Sequence, residues 1–294
     1  MTDNKKDSDK KIDEFSGVET TGHDWDGIEE LNNPMPRWWL WIFYITIIWS
    51  IGFWVVYPAW PTISGNTKGM FGYTQAKALK KSQEEITARQ KIYLDRFEKA
   101  SFEEILKDDE LYAFAMAGGK AFFKDNCATC HGTGADGAKG YPNLNDDDWL
   151  WGGTLPAIYE TIKYGARSDH DDTRIGDMPA FGVDEMLEPE EIESVADYVL
   201  SLSGSNEHKV DVTKGQVIFA EQCAMCHGED ARGSYDFGAP NLADKIWLYG
   251  GSSEDVIESI YNGRAGTMPA WEGRLDENTI RELSIYLHQL GGGQ

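Results

Sequence analysis

Cys127-Ala-Thr-Cys130-His131 and Cys223-Ala-Met-Cys226-His227 decide how this 294-residue chain is read. A C-x-x-C-H run is the attachment signature of c-type haem, and its spacing follows from the chemistry. Two thiols add to the two vinyl groups of the porphyrin, and the adjoining imidazole ligates the iron. The chain has four cysteines, so the two runs use them all. A four-cysteine zinc site and a pair of thioredoxin-like redox centres compete with this reading. Zinc tolerates C-x-x-C but gives no reason for histidine in the next position twice. A redox pair needs a strand–helix context that the flanking residues lack. Two covalently bound haem c groups, held by Cys127 and Cys130 and by Cys223 and Cys226, are the expectation.

Outward from these runs the chain repeats itself. Gly119-x-x-x-Phe123 and Gly215-x-x-x-Phe219 each start eight residues before a first cysteine. Pro142-Asn143-Leu144 with Trp149 and Gly152-Gly153 corresponds to Pro240-Asn241-Leu242 with Trp247 and Gly250-Gly251. Met178-Pro179-Ala180 lies 47 residues after His131, and Met268-Pro269-Ala270 lies 41 after His227. A lone Met usually fills a gap in a core, but a triplet recurring at the same place in a repeat points to an axial ligand. The thioether favours ferrous iron and suits electron transfer. The linear order pairs His131 with Met178 and His227 with Met268. Met116, Met186 and Met225 have no such counterpart and are assigned to packing.

Each repeat resembles a class I cytochrome c domain, with an N-terminal helix, C-x-x-C-H, loops, a Met ligand and a C-terminal helix. The resemblance implies that Gly119 and Phe123 pack against Tyr198, and Gly215 and Phe219 against Tyr286. Helical periodicity supports the last helices independently: Ile192, Val195, Ala196, Val199 and Leu200 share one face, as do Ile280, Leu283, Ile285, Leu287 and Leu290 more loosely. The expected fold is mainly α: one N-terminal transmembrane helix followed by two tandem class I cytochrome c domains, 111–205 and 206–294. Arg167 and Arg264 are candidates for haem propionates by bidentate pairing, or ordinary surface charges. Trp149 and Trp247 are expected to pack on the porphyrins. His170 lies in an insertion of eight residues and is read, like His23, His208 and His288, as a solvated residue.

Residues Trp38 to Tyr57 are twenty uncharged, mostly apolar positions. At 1.5 Å per residue they span roughly 30 Å, the hydrocarbon thickness of a bilayer. Trp38, Trp39 and Trp41 at one end and Trp54, Tyr57 and Trp60 at the other form aromatic belts. Polar residues before the run, and the lack of a small-residue cleavage site after it, argue against a cleaved signal. The remaining divisions are a cytoplasmic segment 1–36, a transmembrane segment 37–60 and an amphipathic linker 61–110. In that linker Leu79, Ile86, Tyr93 and Phe97 are spaced for one helix face. Basic residues flank the span too evenly to orient it. Covalent haem attachment takes place on the periplasmic side of the bacterial inner membrane, so the haem domains are expected there and the N-terminus in the cytoplasm. The first thirty residues are expected to be mobile, with Trp25 and Ile28 as docking candidates.

The net charge of −23 is concentrated in the haem region. Residues 1–100 carry 13 Lys and Arg against 14 Asp and Glu, whereas residues 101–294 carry 14 against 36. Its sign argues against nucleic acid as a partner and favours steering of a basic electron donor.

The run Trp25-Asp-Gly-Ile-Glu-Glu-Leu-Asn-Asn-Pro34, followed by Pro36-Arg37-Trp38-Trp39, is similar to the dihaem cytochrome subunit (subunit III) of cbb3-type cytochrome c oxidases. Tyr57-Pro58 with Trp60-Pro61 and the two Met-Pro-Ala triplets extend the likeness over nearly the whole chain. The resemblance implies an electron-transfer subunit without catalysis of its own. It would accept electrons from a donor cytochrome c or a cytochrome bc complex and pass them, through a monohaem cytochrome subunit, to a haem–copper subunit. That subunit reduces oxygen and pumps protons. Membrane lipid would surround the anchor. A freestanding dihaem shuttle, the cytochrome subunit of a periplasmic dehydrogenase, a dihaem peroxidase and a redox sensor are the competing functions. The peroxidase needs an open iron position that two matching methionines would deny, and a sensor needs an output domain that is not seen.

Overall fold

The computed structural model describes residues 11–204 and 212–291; His208 lies outside them. The chain divides into two units, residues 1–88 and 89–294. In the first unit strands β1 (Thr20–Trp25) and β2 (Ile28–Leu31) form an antiparallel hairpin with Trp25 opposite Ile28. This corrects the expectation of a mobile stretch there. Asp26 and Gly27, with φ of 53° and 89°, make the left-handed two-residue turn that Asp-Gly favours, and Trp25 Nε1 donates to Glu30 Oε1 at 3.1 Å.

Helix α1 (Arg37–Val56) is the one described helix long and apolar enough to cross a membrane, and none of its residues is buried by the protein. It ends where expected: Tyr57 is extended, as a residue before proline prefers. A short hairpin of β3 (Pro61–Thr62) and β4 (Gly65–Asn66) follows. Helix α2 (Gln75–Phe97) forms over the amphipathic pattern, but its stripe is unevenly used: Leu79 and Ile86 are exposed, whereas Phe97 is wholly buried. The Arg281 guanidinium lies 4.9 Å from the Phe97 ring, and it donates to Phe97 O at 2.9 Å and to Ala100 O.

The second unit repeats one helical plan. Its first half has α3 (Phe102–Lys107), α4 (Asp109–Phe122), a π-helical turn (Phe123–Cys127), α5 (Ala128–His131), α6 (Leu155–Tyr164) and α7 (Pro189–Leu202). Its second half has α8 (Val212–Ile218), a second π turn (Phe219–Cys223), α9 (Ala224–His227), α10 (Ser253–Asn262) and α11 (Glu277–Gly291). Local sequence explains the helix starts. Ser101 with Glu104 and Ser252 with Asp255 form capping boxes, and Thr154 caps α6 by accepting from Ala157 N.

The last helices are exchanged between the repeats. Phe123 meets Tyr286 at 5.7 Å between ring centroids, and Phe219 meets Tyr198 at 5.4 Å. A Cβ on Gly119 would lie 2.4 Å from Glu282 O, and one on Gly215 would lie 2.0 Å from Ser194 O. Helix α4 therefore closes on α11, and α8 on α7. One core combines Phe123, Ile158 and Ile162 with Ile280, Leu283 and Leu287. The other combines Ile192, Val195 and Val199 with Ile218, Phe219, Val256 and Ile260. The expected pairings of Gly119 and Phe123 with Tyr198, and of Gly215 and Phe219 with Tyr286, are thus corrected. Each core therefore draws helices from both repeats, 111–205 and 206–294. Only residues 203–211 separate α7 from α8, and consecutive helices with so short a connection pack together readily. Because the repeats offer equivalent surfaces, either last helix fits either first helix.

Candidate functional site: two haem cavities

Each C-x-x-C-H run starts on the last residue of a π turn and continues through a short helix that ends abruptly. Gly132 and Gly228, both at φ 81°, stop α5 and α9 immediately after the histidine in a conformation that suits glycine. The π turn before each run shifts the helical register by one residue just ahead of the first cysteine. Nothing in the hydrophobic pattern announces it. His131 Nδ1 donates to Pro142 O at 3.0 Å and His227 Nδ1 donates to Pro240 O at 3.0 Å. Such a bond fixes the ring and leaves Nε2 free to bind a metal. Burial pushes both imidazoles toward the neutral, metal-binding form, opposed by the bond to proline. Burial also raises the Cys127 and Cys223 thiols to about 11, with a neighbouring-cysteine contribution in each. A redox-active thiol needs the opposite shift.

One cavity is lined by Cys127, Cys130, His131, Trp149, Leu283 and Met268. The other is lined by Cys223, Cys226, His227, Trp247, Val199 and Met178. Each methionine therefore lines the cavity of the other repeat's histidine: the structure places Met268 with His131 and Met178 with His227, where the linear order sets His131 with Met178 and His227 with Met268. The backbone enforces this. Ala166 and Met268 exchange N–H···O bonds of 3.0 and 2.9 Å, and Met178 and Arg264 exchange bonds of 3.0 and 3.2 Å. Gly165 and Gly263 are required there, since a Cβ on either would lie 2.4 Å from Met268 O or Met178 O. With Pro and Ala following each, the methionines are held by the loop after α6 or α10 of the opposite repeat.

The remaining candidates sort as follows. Trp149 lines the first cavity, but its Nε1 is engaged by Gly291 O at 3.1 Å. Arg264 donates to Ser259 Oγ at 2.9 and 3.0 Å and lies over the Tyr249 ring at 4.3 Å. His170 Nε2 pairs with Glu272 at 2.7 Å rather than entering a cavity. Met116 packs in the core as expected, whereas Met186 and Met225 are exposed, so the packing role assigned to those two is corrected. The two cysteine pairs face separate cavities. Among the described residues no three His, Cys, Asp or Glu converge as a metal site, which leaves a zinc centre without a ligand set. Each cavity instead combines two thiols, an oriented imidazole, an opposing thioether and apolar walls, a donor set that fits a covalent haem.

A family model described as cytochrome c oxidase, cbb3-type, subunit III matches residues 114–199 and 210–287. A second, the N-terminal domain of cytochrome oxidase-cbb3, FixP, matches residues 17–64. The chain belongs to the cbb3-type cytochrome c oxidase subunit III family. It is 56% identical over 288 residues to the cbb3-type cytochrome c oxidase subunit FixP of Bradyrhizobium sp. (strain ORS 278), covering 97% of this chain and 98% of that one. The cbb3-type subunit CcoP of Azospirillum brasilense is 50% identical, over 97% of this chain and 99% of its own. The matched stretches include both C-x-x-C-H runs and the Asn-Asn-Pro lead-in to α1.

Proposed function

We propose that this chain, an electron-transfer subunit of a cbb3-type oxidase, carries two covalent haem c groups and relays electrons between them. Cys127 and Cys130 would hold one haem, with His131 and Met268 as its iron ligands; Cys223 and Cys226 would hold the other, with His227 and Met178. When bound, the haems supply one-electron transfer. The observation that carries the reading is the presence of two equivalently built cavities, each with a C-x-x-C-H run and a facing methionine. The chain's own residues fix the imidazoles through Pro142 and Pro240, hold the methionines through the exchanged backbone bonds and exclude water with apolar walls. Two filled axial positions leave no open site for peroxide.

Helix α1 anchors the chain in the bacterial inner membrane, with the haem region in the periplasm, where its acidic surface steers a basic donor cytochrome c. A cytochrome bc complex is the alternative donor. Electrons then pass to the monohaem and haem–copper subunits of the oxidase. Gentle detergent extraction followed by copurification tests this. A haem-stained band near 33.0 kDa that comigrates with oxygen uptake from reduced cytochrome c is expected. The same band purifying alone, with intact spectra and no oxygen uptake, would instead make the chain a freestanding shuttle.

A further inference from the structure

The two cavities share a wall. Leu150, Arg167, Leu248, Tyr249 and Gly266 line both of them. Arg167 is the residue there with a full charge. Its Nε donates to Gly266 O at 2.6 Å and its Nη1 donates to Gly176 O at 2.5 Å. Gly176 and Gly266 occupy the same place in the repeats, two residues before Met178 and Met268. One guanidinium thus bridges equivalent carbonyls of both methionine loops and lies between the two halves of the pseudo-repeat. Its repeat counterpart is Ala265, so a second such arginine is not supplied.

The side chain is built into this position. It is four-fifths buried, the guanidinium lies 5.7 Å from the Trp151 ring centroid, and its ion-pair partner Asp177 is exposed and 3.9 Å away. The backbone of Arg167 is left-handed at φ 51°, an uncommon state for a residue with a Cβ. It is held there by a bond from its N–H to Arg174 O at 2.8 Å. The adjoining Ala166 makes the backbone bonds to Met268. A largely buried cation on a left-handed backbone at the boundary of the two cavities is costly unless the surrounding structure needs it.

We propose that Arg167 is a positioning residue shared by both haems: it clamps the two methionine loops and places one permanent positive charge between the sites, so that both potentials are raised together. The proposal rests on the crosswise ligation above. A cation favours the ferrous state of each iron, because reduction lowers the positive charge of the centre. In a partly buried wall this interaction is screened far less than at the surface.

The test is a spectroelectrochemical titration of the full-length, haem-loaded protein in detergent. R167Q is expected to lower both midpoints, changing each ferric-to-ferrous ratio at fixed ambient potential by at least tenfold, about 59 mV for a one-electron couple. R167K restores the charge and is expected to bring both ratios back to within threefold of the parent. R232Q removes the same charge from a solvent-exposed arginine paired with Asp230 and is expected to shift neither. A change at one haem alone, no change at either, or an R167K as low as R167Q overturns the proposal. Failure of the crosswise ligation is read separately, from which haem loses its sulfur-to-iron charge-transfer band in M178A and in M268A.

Discussion

The exchange of last helices makes a quantitative claim about two tyrosines. Phe123 is almost fully buried and stands 5.7 Å from the Tyr286 ring at an interplanar angle of 51°. Aromatic pairs in this range contribute roughly 0.5–1.5 kcal/mol beyond their burial. Tyr198 belongs to the other core, against Phe219 at 5.4 Å and 57°. Phe123→Leu and Tyr286→Leu each keep most of the apolar volume and are expected to cost about 1 kcal/mol alone. Their double mutant should recover a coupling of about 1 kcal/mol, whereas Phe123→Leu with Tyr198→Leu should add to within roughly 0.3–0.5 kcal/mol, as independent sites do. Urea unfolding of the full haem-loaded chain, followed by Soret circular dichroism, reads the haem region without the membrane helix. Coupling of Phe123 to Tyr198 rather than to Tyr286 would refute the exchanged arrangement and restore two sequential domains.

Two further outcomes follow from the same architecture. In single-haem variants that retain only Cys223 and Cys226, Met178→Ala should lower the midpoint potential and abolish the sulfur-to-iron band, while Met268→Ala leaves that haem's ligation intact; the reverse would show ligation within each repeat. Glu282 is buried on α11 with its carboxyl against Gly118, and burial, with a smaller contribution from Asp276, raises its pKa to about 8. The folded protein holds the neutral acid while the unfolded chain ionises near 4.5, so stability should fall as pH rises from about 4.5 to about 8 and level off above. Glu282→Gln should flatten that slope and stabilise the protein at pH 8 by on the order of a few kcal/mol; an unchanged pH dependence of the urea midpoint would remove Glu282 as its source.

Much of this protein follows from sequence by itself. The uncharged, mostly apolar run before Pro58 forms α1 because no charge or proline interrupts it, and the hydroxyls of Thr46 and Ser50 bond to carbonyls of the helix itself. The two short turns that carry C-x-x-C-H fall where the motif repeats in the sequence. The faces of α7 and α11 follow from a 3.6-residue period, and Ile192, Val195, Val199, Ile280 and Leu283 are buried as that period requires. The Asp26-Gly27 turn was equally legible, but composition alone hid the hairpin it closes. The π turns carried no such signal.

What only the tertiary structure decided is which half of each repeat closes which cavity. Gly119 and Gly215, Tyr198 and Tyr286, and Met178 and Met268 are chemically interchangeable partners, so periodicity and motif spacing score both pairings alike. The choice is made in the backbone, by main-chain bonds that tie Met178 to Arg264 and Met268 to Ala166. These bonds use main-chain N–H and C=O groups, and the glycine each close approach requires, Gly165 or Gly263, recurs in both repeats, so the sequence does not distinguish the two pairings.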